Sequence, residues 1–212
     1  MLVKNVMTKN PVTIAPESSI TEAKALMTKK NIGKLPVVDK NNNLVGILTK
    51  KDLAKAAPSE ATTLDMFEIG YLLSKITVEK IMTKKVVTVP ESEVVENAAK
   101  LMVDNGIGCV PVMSGDCLVG IITESDLFQL FTDMFGSREA GVRFILTLDD
   151  TPGQLAKLVD EIAKENGNLV SLVTRELKEA GKRRLTVKVA GITEVQLKEI
   201  LARLNIVADD IR

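Results

Sequence analysis

The stretch Gly46-Ile47-Leu48-Thr49-Lys50-Lys51-Asp52-Leu53 returns later in the chain as Gly120-Ile121-Ile122-Thr123-Glu124-Ser125-Asp126-Leu127. Each copy runs from a glycine through two apolar residues to a threonine, with an aspartate three residues after the threonine. The apolar run predicts a buried strand, and the threonine marks the start of a helix. A strand-to-helix junction that occurs twice makes internal duplication the first property to test.

Other blocks recur in the same order on the N-terminal side of this junction. The pairs are Met7-Thr8 with Met82-Thr83, Val12-Thr13-Ile14 with Val87-Thr88-Val89, Pro16-Glu17-Ser18 with Pro90-Glu91-Ser92, and residues 32–37 with residues 107–112. Chance does not produce this many blocks in one order, so the sequence contains two copies of one unit.

The sequence of each repeat predicts the element order β-α-β-β-α. Residues 12–14 and 87–89 predict a short strand, and a helix is expected to begin near Ser18 or Ser92, because serine is a good helix cap. Two strands, 36–38 and 44–48 in the first copy, are joined by an asparagine-rich stretch that suits a turn. The second helix starts at the threonine of the repeated junction.

These blocks resemble the CBS domain, over residues 1–56 and 76–134. The resemblance implies that both repeats pack into one disc-shaped module with ligand sites in the cleft between them. It also implies an adenosine-containing ligand, such as AMP, ADP, ATP or S-adenosylmethionine. By resemblance, Asp52 and Asp126 bind the ribose, Thr49 and Thr123 the phosphate. The remaining implied site residues, around the base, are Thr13, Ile14, Thr88, Val89, Pro36 and Pro111.

The chemistry of the repeated motif allows two interpretations. A carboxylate can accept hydrogen bonds from both hydroxyls of a ribose, and the first amides of a helix attract phosphate. A Thr-x-x-Asp sequence at a helix start is also close to a capping box, which needs no ligand. The motif alone favours the cap, whereas two intact copies inside two complete repeats favour a ligand site.

The two expected sites differ in charge. Five lysines lie near the first motif, and their counterparts in the second repeat are acidic or neutral. The lysines are Lys29, Lys30, Lys34, Lys50 and Lys51, and the counterparts are Asp104, Asn105, Cys109, Glu124 and Ser125. One interpretation is a solvated face whose charges have drifted. The other is that one site prefers a multiply charged phosphate tail and the other a less charged nucleoside.

The segment 57–75 connects the two repeats. Pro58-Ser59 interrupts the preceding helix, and Leu64, Phe67, Tyr71 and Leu72 indicate another. The insertion resembles the AcuB-type acetoin-utilisation proteins, in which a CBS pair precedes an ACT domain. A plain connecting helix that packs on the disc is the alternative.

Residues 142–212 predict a different domain with the order β-α-β-β-α-β, the ferredoxin-like arrangement. Residues 142, 144, 146 and 148 alternate as apolar positions of a strand, and the turn 150–153 leads into a helix. Two strands (169–176 and 184–189), a second helix around Leu197 to Leu204, and a last strand over 206–211 follow. The fold class expected for the whole chain is therefore α+β.

The turn Asp150-x-Pro152-Gly153-x-Leu155 in this setting resembles the ACT domain. The resemblance implies an amino acid as a possible ligand, bound where Gly153 lets it approach the backbone, with Asn168 as a second ligand-side residue. The alternative is that Pro152-Gly153 only forms the turn into the helix and that the domain only dimerises.

Composition limits the classes of function. Positive and negative side chains balance at 28 each, which argues against nucleic acid as a partner, and histidine is absent. No apolar run approaches the roughly 20 residues of a membrane span, and the N-terminal segment lacks the apolar core of a signal peptide. A cytoplasmic protein that binds no membrane is expected. Cys109 and Cys117 make neither a disulfide framework nor a metal site.

The sequence therefore predicts a non-catalytic, ligand-responsive regulatory protein without cofactor or metal. Both module types commonly self-associate, so a homo-oligomer, most simply a dimer, is expected. A constitutive scaffold with empty sites is the main alternative. An enzyme ranks last, because Cys109 has no histidine to activate it and is better interpreted as a buried, inert thiol.

Overall fold

The computed structural model describes residues 1–56, 71, 73–178 and 181–212, which divide into units 1–128 and 129–212. The first repeat contains β1 (Thr8–Lys9), α1 (Ile20–Lys30), β2 (Lys34–Val38), β3 (Leu44–Thr49) and α2 (Lys50–Ala56). The second contains α3 (Val78–Ile81), β4 (Val89–Pro90), α4 (Val95–Asn105), β5 (Cys109–Ser114), β6 (Cys117–Thr123) and α5 (Glu124–Met134). The boundary between the units falls within α5.

Local sequence explains where α1 begins and ends. Ser19 caps the helix one residue after the predicted position, because its hydroxyl accepts from the backbone N–H of Glu22 while the Glu22 carboxylate accepts from the N–H of Ser19. Asn31 ends the helix in the left-handed conformation, with φ 51°. The equivalent helix α4 begins at Val95, after Val94, and ends at Gly106, which is also left-handed.

The two hairpins follow the prediction closely. β2 pairs with β3 and β5 pairs with β6, both antiparallel. In the first hairpin, Asp39 accepts the backbone N–H groups of Asn41 and Asn43, and Asn42 has φ 64°. The asparagine-rich stretch therefore forms the turn because asparagine tolerates positive φ.

The predicted strands at 12–14 and 87–89 are shorter than expected. Ile14 makes only a single parallel bridge to Val37, and β4 is limited to Val89–Pro90, which pairs with β5. Further backbone pairing occurs earlier, at the Met-Thr blocks, where it reaches into the other repeat.

The start of each repeat packs on the other repeat. β1 pairs with β6, with Thr8 opposite Ile121, and Thr83 makes the equivalent bridge to Ile47 through two hydrogen bonds of 2.9 and 3.0 Å. The N–H of Val3 donates to the carbonyl of Glu93 at 2.8 Å. The two repeats therefore exchange their N-terminal arms, which are residues 1–10 and 76–85.

The arms also explain the glycine that opens each repeated junction. A Cβ on Gly46 would lie 2.3 Å from Sδ of Met82, and a Cβ on Gly120 would lie 2.3 Å from Sδ of Met7. Each methionine is the residue before the arm's threonine. Glycine at this position leaves room for the methionine side chain of the other repeat's arm, and glycine and methionine recur together.

The core of the first repeat is made of buried apolar side chains, and it includes Val78 from the exchanged arm. Its buried members are Ile14, Ala23, Met27, Leu35, Val37, Leu48 and Val78. A smaller cluster of Ile47, Cys109 and Ile121 joins the strands of both repeats.

The second unit holds β7 (Val142–Asp149), α6 (Gln154–Lys164), β8 (Asn168–Glu176), β9 (Lys182–Ala190), α7 (Glu194–Arg203) and β10 (Ala208–Ile211). The strand order β10-β7-β9-β8, all antiparallel neighbours, is that of the predicted ferredoxin-like domain. Its core includes Phe144, Leu158 and Leu197, each with no exposed surface. The last strand starts two residues later than predicted. The α+β fold class is confirmed.

Most of the predicted connector helix lies outside the described residues, which include only 71 and 73–75 of that helix, all helical. Residues 179 and 180, between the two predicted strands 169–176 and 184–189, are also outside them. Across the described part of the chain, no helix is long and apolar enough to cross a membrane.

Candidate functional site

Both Thr-x-x-Asp motifs form the same closed geometry at a strand-to-helix junction. Oδ2 of Asp52 accepts the backbone N–H of Thr49 at 2.9 Å and its hydroxyl at 2.6 Å. Asp126 accepts the equivalent groups of Thr123 at 2.8 and 2.7 Å. The capping interaction anticipated as an alternative is therefore present in both repeats.

The cap leaves half of each carboxylate available. Within the described residues, Oδ1 of Asp52 and Oδ1 of Asp126 accept no hydrogen bond, and both residues are partly exposed. The threonine hydroxyls already donate to the carboxylates and accept from the aspartate N–H. The free hydrogen-bonding capacity of the motif thus lies on the aspartate.

The first pocket, of about 230 Å³, opens at the Asp52 motif. The first repeat contributes Lys34, Ile47, Thr49, Lys51 and Asp52. The second repeat contributes Thr83, Lys85, Val86, Val87, Gly106, Ile107, Gly108, Cys109 and Pro111. The pocket therefore joins the motif of one repeat to the arm and the glycine-containing loop of the other.

The second pocket, of about 460 Å³, is built mostly from the equivalent positions with the repeats exchanged, but Asp126, the counterpart of Asp52, is not among its lining residues. The second repeat contributes Ile121, Thr123 and Ser125. The first repeat contributes Thr8, Asn10, Pro11, Val12, Asn31, Ile32, Gly33 and Lys34. The two pockets are thus related by the internal duplication, and each is a composite of both repeats.

The predicted base-side residues are only partly brought to these pockets. Pro111 lines the first pocket, and Val12 and Val87, which begin the predicted strands, line the second and the first. Ile14 and Val89 are buried in the protein core, and Pro36 is buried in β2. Thr13 and Thr88 line neither pocket.

The lysines separate into two groups. Lys34 and Lys51 line the first pocket, as does Lys85, which the sequence reasoning missed because it lies in the exchanged arm. Lys50 instead lies against Gly33 and, with Met27, lines a groove beside α1. Lys29 and Lys30 are exposed in the last turn of α1. The recurrence of Met7-Thr8 and Met82-Thr83 was the signal that could have identified the arm.

Cys109 occupies the wall of the first pocket as a protonated thiol. Burial raises the pKa of Cys109 to about 11, with the positive charge of Lys34 opposing this shift and the negative charge of Glu124 adding to it. A thiol with a raised pKa is a poor nucleophile because little thiolate forms near neutral pH. This geometry agrees with the inert, buried thiol expected from the sequence.

We expect Cys117 to react with iodoacetamide at pH 8, because Cys117 is exposed. Cys109 is buried, so its rate of labelling should be about one tenth of the Cys117 rate or lower. Peptide mass spectrometry over a time course gives both rates in one sample. Labelling in urea, where both thiols are exposed, is the control. Equal rates in the native protein would contradict this description of Cys109.

In the second unit, the turn with Asp150, Pro152 and Gly153 is held by an ion pair. The Arg183 guanidinium donates to both carboxylate oxygens of Asp150, at 2.9 and 2.8 Å, and holds the pKa of that carboxyl below its usual range. Gly153 has φ 89°, and a Cβ there would meet nothing within 4 Å. The turn therefore needs glycine for its backbone conformation and leaves open space beside it.

Asn168 lies at the other end of the sheet from this turn. Asn168 pairs with Ala190 of β9, whereas Asp149, next to the turn, pairs with Lys182 at the opposite end of that strand. The helix α6 carries the chain back along the sheet before β8 starts. Within one chain, Asn168 is therefore not brought together with Asp150, Pro152 or Gly153.

Solved structures resemble the paired repeats. The CBS domain pair of protein MJ0100, in complex with 5′-methylthioadenosine and S-adenosyl-L-methionine, is 36% identical, covers 66% of this chain and 98% of its own, and has a TM-score of 0.53. A putative acetoin utilization protein (AcuB) from Vibrio cholerae is 30% identical, with coverages of 65% and 95% and a TM-score of 0.54. CBSX2 in complex with AMP is 29% identical, with 61% and 95% covered and a TM-score of 0.50.

Curated relatives match over a smaller part of their own length. L-aspartate semialdehyde sulfurtransferase of Methanocaldococcus jannaschii is 38% identical over 131 residues, 61% of this chain and 23% of that protein. Homoserine O-acetyltransferase of Methanococcus vannielii is 33% identical over 132 residues, 62% of this chain and 25% of that enzyme. The chain thus spans about a quarter of the length of these two relatives.

Family models account for nearly all of the described elements. The model of the CBS domain matches residues 3–59 and 78–133, and that of the TTHA0829-like ACT domain matches residues 140–211. These ranges contain both Thr-x-x-Asp motifs and the turn at Gly153. The chain therefore belongs to the CBS domain family, with two CBS repeats followed by a TTHA0829-like ACT domain.

Proposed function

We propose that this protein is a non-catalytic regulatory sensor that binds adenosine-containing ligands in the two composite pockets. The observation that carries the proposal is the duplicated pocket itself. In each copy a Thr-x-x-Asp motif borders a cleft whose opposite wall comes from the other repeat: Thr49 and Asp52 line the first pocket, and Thr123 lines the second. A ligand in such a cleft contacts both repeats at once, so its binding favours one arrangement of the pair.

The ribose is assigned to the free oxygen of Asp52 or Asp126. A carboxylate oxygen can accept from two hydroxyls, and hydrogen bonds to a charged group are stronger than those between neutral groups. The cap supports this role, because the bonds from threonine to Oδ2 hold the carboxylate in place and leave Oδ1 without a hydrogen bond among the described residues.

The base is assigned to the apolar wall supplied by the other repeat. In the first pocket this wall contains Val86, Val87 and Ile107, and the glycines at 106 and 108 leave the loop backbone accessible. The second pocket, at 460 Å³, falls within the range of about 300 to 1,000 Å³ usual for small-molecule sites, and the first, at 230 Å³, falls just below it.

Charge assigns different ligands to the two pockets. Lys34, Lys51 and Lys85 line the first pocket beside the single acid Asp52, which suits a phosphate-bearing nucleotide. Among the described residues, Lys34 is the one charged residue that lines the second pocket, which suits a nucleoside with less charge. The solved CBS pairs support these ligand classes, since MJ0100 was crystallised with 5′-methylthioadenosine and S-adenosyl-L-methionine and CBSX2 with AMP.

The proposal includes two statements about the whole chain. The open space at Gly153 supports an amino acid as the ligand of the ACT domain, and its ammonium group would compete with Arg183 for Asp150. The two module types commonly self-associate, which supports a homodimer. The proposal also places the protein in the cytoplasm, and its balance of 28 positive and 28 negative side chains argues against nucleic acid or membrane as a partner. Light scattering at micromolar concentration measures the mass directly.

A thermal-shift screen tests the proposed function. The compounds are AMP, ADP, ATP, 5′-methylthioadenosine, S-adenosylmethionine and the amino acids. A ligand at 100 times its Kd stabilises the folded state by about 2.7 kcal/mol, so at least one adenosine compound is expected to raise the melting temperature by several degrees. If millimolar concentrations of every adenosine compound leave the melting temperature unchanged, the scaffold alternative is correct.

A further inference from the structure

Lys34 lines both pockets, and among the described residues of the first unit no other charged residue does so. It is the first residue of β2, where it pairs with Thr49 of β3. Its counterpart in the second repeat is Cys109, which pairs with Thr123 and carries no charge. The duplicated frame therefore provides two equivalent central positions, and only one of them is cationic.

Among the described residues, Lys34 makes a hydrogen bond across the boundary between the repeats but no close ion pair. Its Nζ, partly buried, donates to the carbonyl of Gly108, across the boundary between the repeats. No carboxylate in the described ranges lies within 4.0 Å of this ammonium group. A Cβ on Gly108 would lie 2.4 Å from an oxygen of Glu124 and 3.4 Å from Nζ of Lys34, so the glycine creates the space in which both groups approach.

An ammonium group has three hydrogen-bond donors, and the carbonyl of Gly108 takes one. The first pocket has Lys51 and Lys85 as further cations, whereas the second has none among its lining residues. A phosphate in the first pocket therefore attracts Lys34, the cation on which a phosphate in the second pocket depends. The two phosphates also repel each other across a partly buried region where water screens charges weakly.

From this arrangement we infer that Lys34 couples the two pockets, so that a phosphate-bearing ligand in one lowers the affinity of the other for a second phosphate-bearing ligand. The inference rests on the proposed function, because it requires both pockets to bind. A ligand without phosphate, such as 5′-methylthioadenosine, places no negative charge near Lys34. The protein thereby favours mixed occupancy, with a nucleotide in the first pocket and an uncharged adenosine compound in the second.

Calorimetry on the full chain measures the coupling. The variants Asp126→Ala and Asp52→Ala isolate the first and the second pocket and give the AMP affinity of each alone. The product of these two association constants is compared with the overall constant for two AMP molecules in the unaltered protein. We expect the overall constant to be about tenfold below the product, within the usual range of coupling between sites. For 5′-methylthioadenosine the two quantities are expected to agree.

Three lysine variants identify the residue responsible. Lys34→Met keeps the aliphatic stem and weakens AMP in both pockets. The overall AMP constant is then expected to equal the product of the two constants isolated by Asp52→Ala and Asp126→Ala in the same Lys34→Met background, whereas Lys34→Arg retains the charge and the coupling. Lys51→Met is the matched control, because Lys51 lines only the first pocket: it weakens AMP there and leaves the tenfold factor unchanged. Binding of 5′-methylthioadenosine to each variant verifies its fold.

The possible outcomes separate the two claims. If both isolated pockets bind AMP and the overall constant equals the product, the coupling is refuted while the proposed function stands. If the isolated second pocket does not bind AMP, the sharing of Lys34 is likewise refuted. If the unaltered protein binds neither AMP nor 5′-methylthioadenosine, the proposed function fails and the coupling fails with it.

Discussion

Replacing Asp52 with alanine is expected to weaken AMP binding at the first pocket by about ten- to a hundredfold. The substitution removes the free oxygen that accepts the ribose hydroxyls, and losing a good hydrogen bond to a charged group costs about 1.5 to 3 kcal/mol. Asp126→Ala is expected to cause the same loss at the second pocket. Calorimetry with AMP and with 5′-methylthioadenosine measures both variants.

The ligand's charge adds a second expectation. Because Lys51 and Lys85 line only the first of the two pockets, Asp52→Ala should reduce binding of AMP more than binding of 5′-methylthioadenosine. The affinity for AMP should also fall more steeply with added salt than the affinity for 5′-methylthioadenosine, because salt screens the attraction between the lysines and the phosphate. Equal losses for both ligands in both variants would mean that the lysines act only as surface charges.

Asp52→Asn separates the cap from the binding site. The asparagine oxygen can still accept the N–H and hydroxyl of Thr49, whereas the ribose-facing oxygen becomes an amide NH2 that cannot accept. We expect Asp52→Asn to lose AMP binding with little change in thermal stability, and Asp52→Ala to lose about 1 kcal/mol of stability as well. If both substitutions lower stability but leave binding intact, the motifs serve only as helix caps.

Gly46→Ala is expected to destabilise the first unit by about 1 to 3 kcal/mol, the usual cost of forcing extra atoms into a packed region. The added Cβ would meet Sδ, Cγ and Cε of Met82 at 2.3, 2.9 and 3.0 Å, so the Met82 side chain must move from its packed position. Urea denaturation, with amide hydrogen exchange in β3 as the probe, measures the free energy of unfolding of this unit.

Gly33→Ala is the matched control, because its Cβ would meet Lys50 at 3.6 Å, an ordinary contact distance. It should change the free energy of unfolding by less than about 0.5 kcal/mol. Combining Gly46→Ala with Met82→Ala should destabilise less than the sum of the single changes, because the shorter side chain vacates the space. Strict additivity would show that the glycine is not required by the arm.

Local patterns in the sequence predicted most elements. The hairpin turn was visible because asparagines such as Asn42 accept positive φ, and the strand Val142–Asp149 was visible because its buried positions alternate. The strand expected at 12–14 was mostly not formed. Its apolar side chains are used in packing, with Ile14 in the core, and the backbone pairing occurs earlier, at Thr8.

The composition of the pockets could not be read from the repeats. Repetition shows that Thr49 and Thr123 are equivalent, but it does not show which repeat supplies the wall opposite each one. That depends on long-range strand pairing, such as Ile47 with Thr83, which leaves no periodic signal. For this reason the aspartates were predicted and Lys85 was missed.

The exchanged arms also bear on how such a molecule can arise. A single repeat on its own has no complete pocket, because each pocket needs the arm of another copy. A one-repeat ancestor could have formed these clefts only as a symmetric pair of chains that swapped their arms, with two identical pockets. Fusion of two gene copies removed the requirement for identity. Lys85 could then differ from Asn10, and Lys34 from Cys109. The two pockets, once identical, could therefore evolve independently within a single chain.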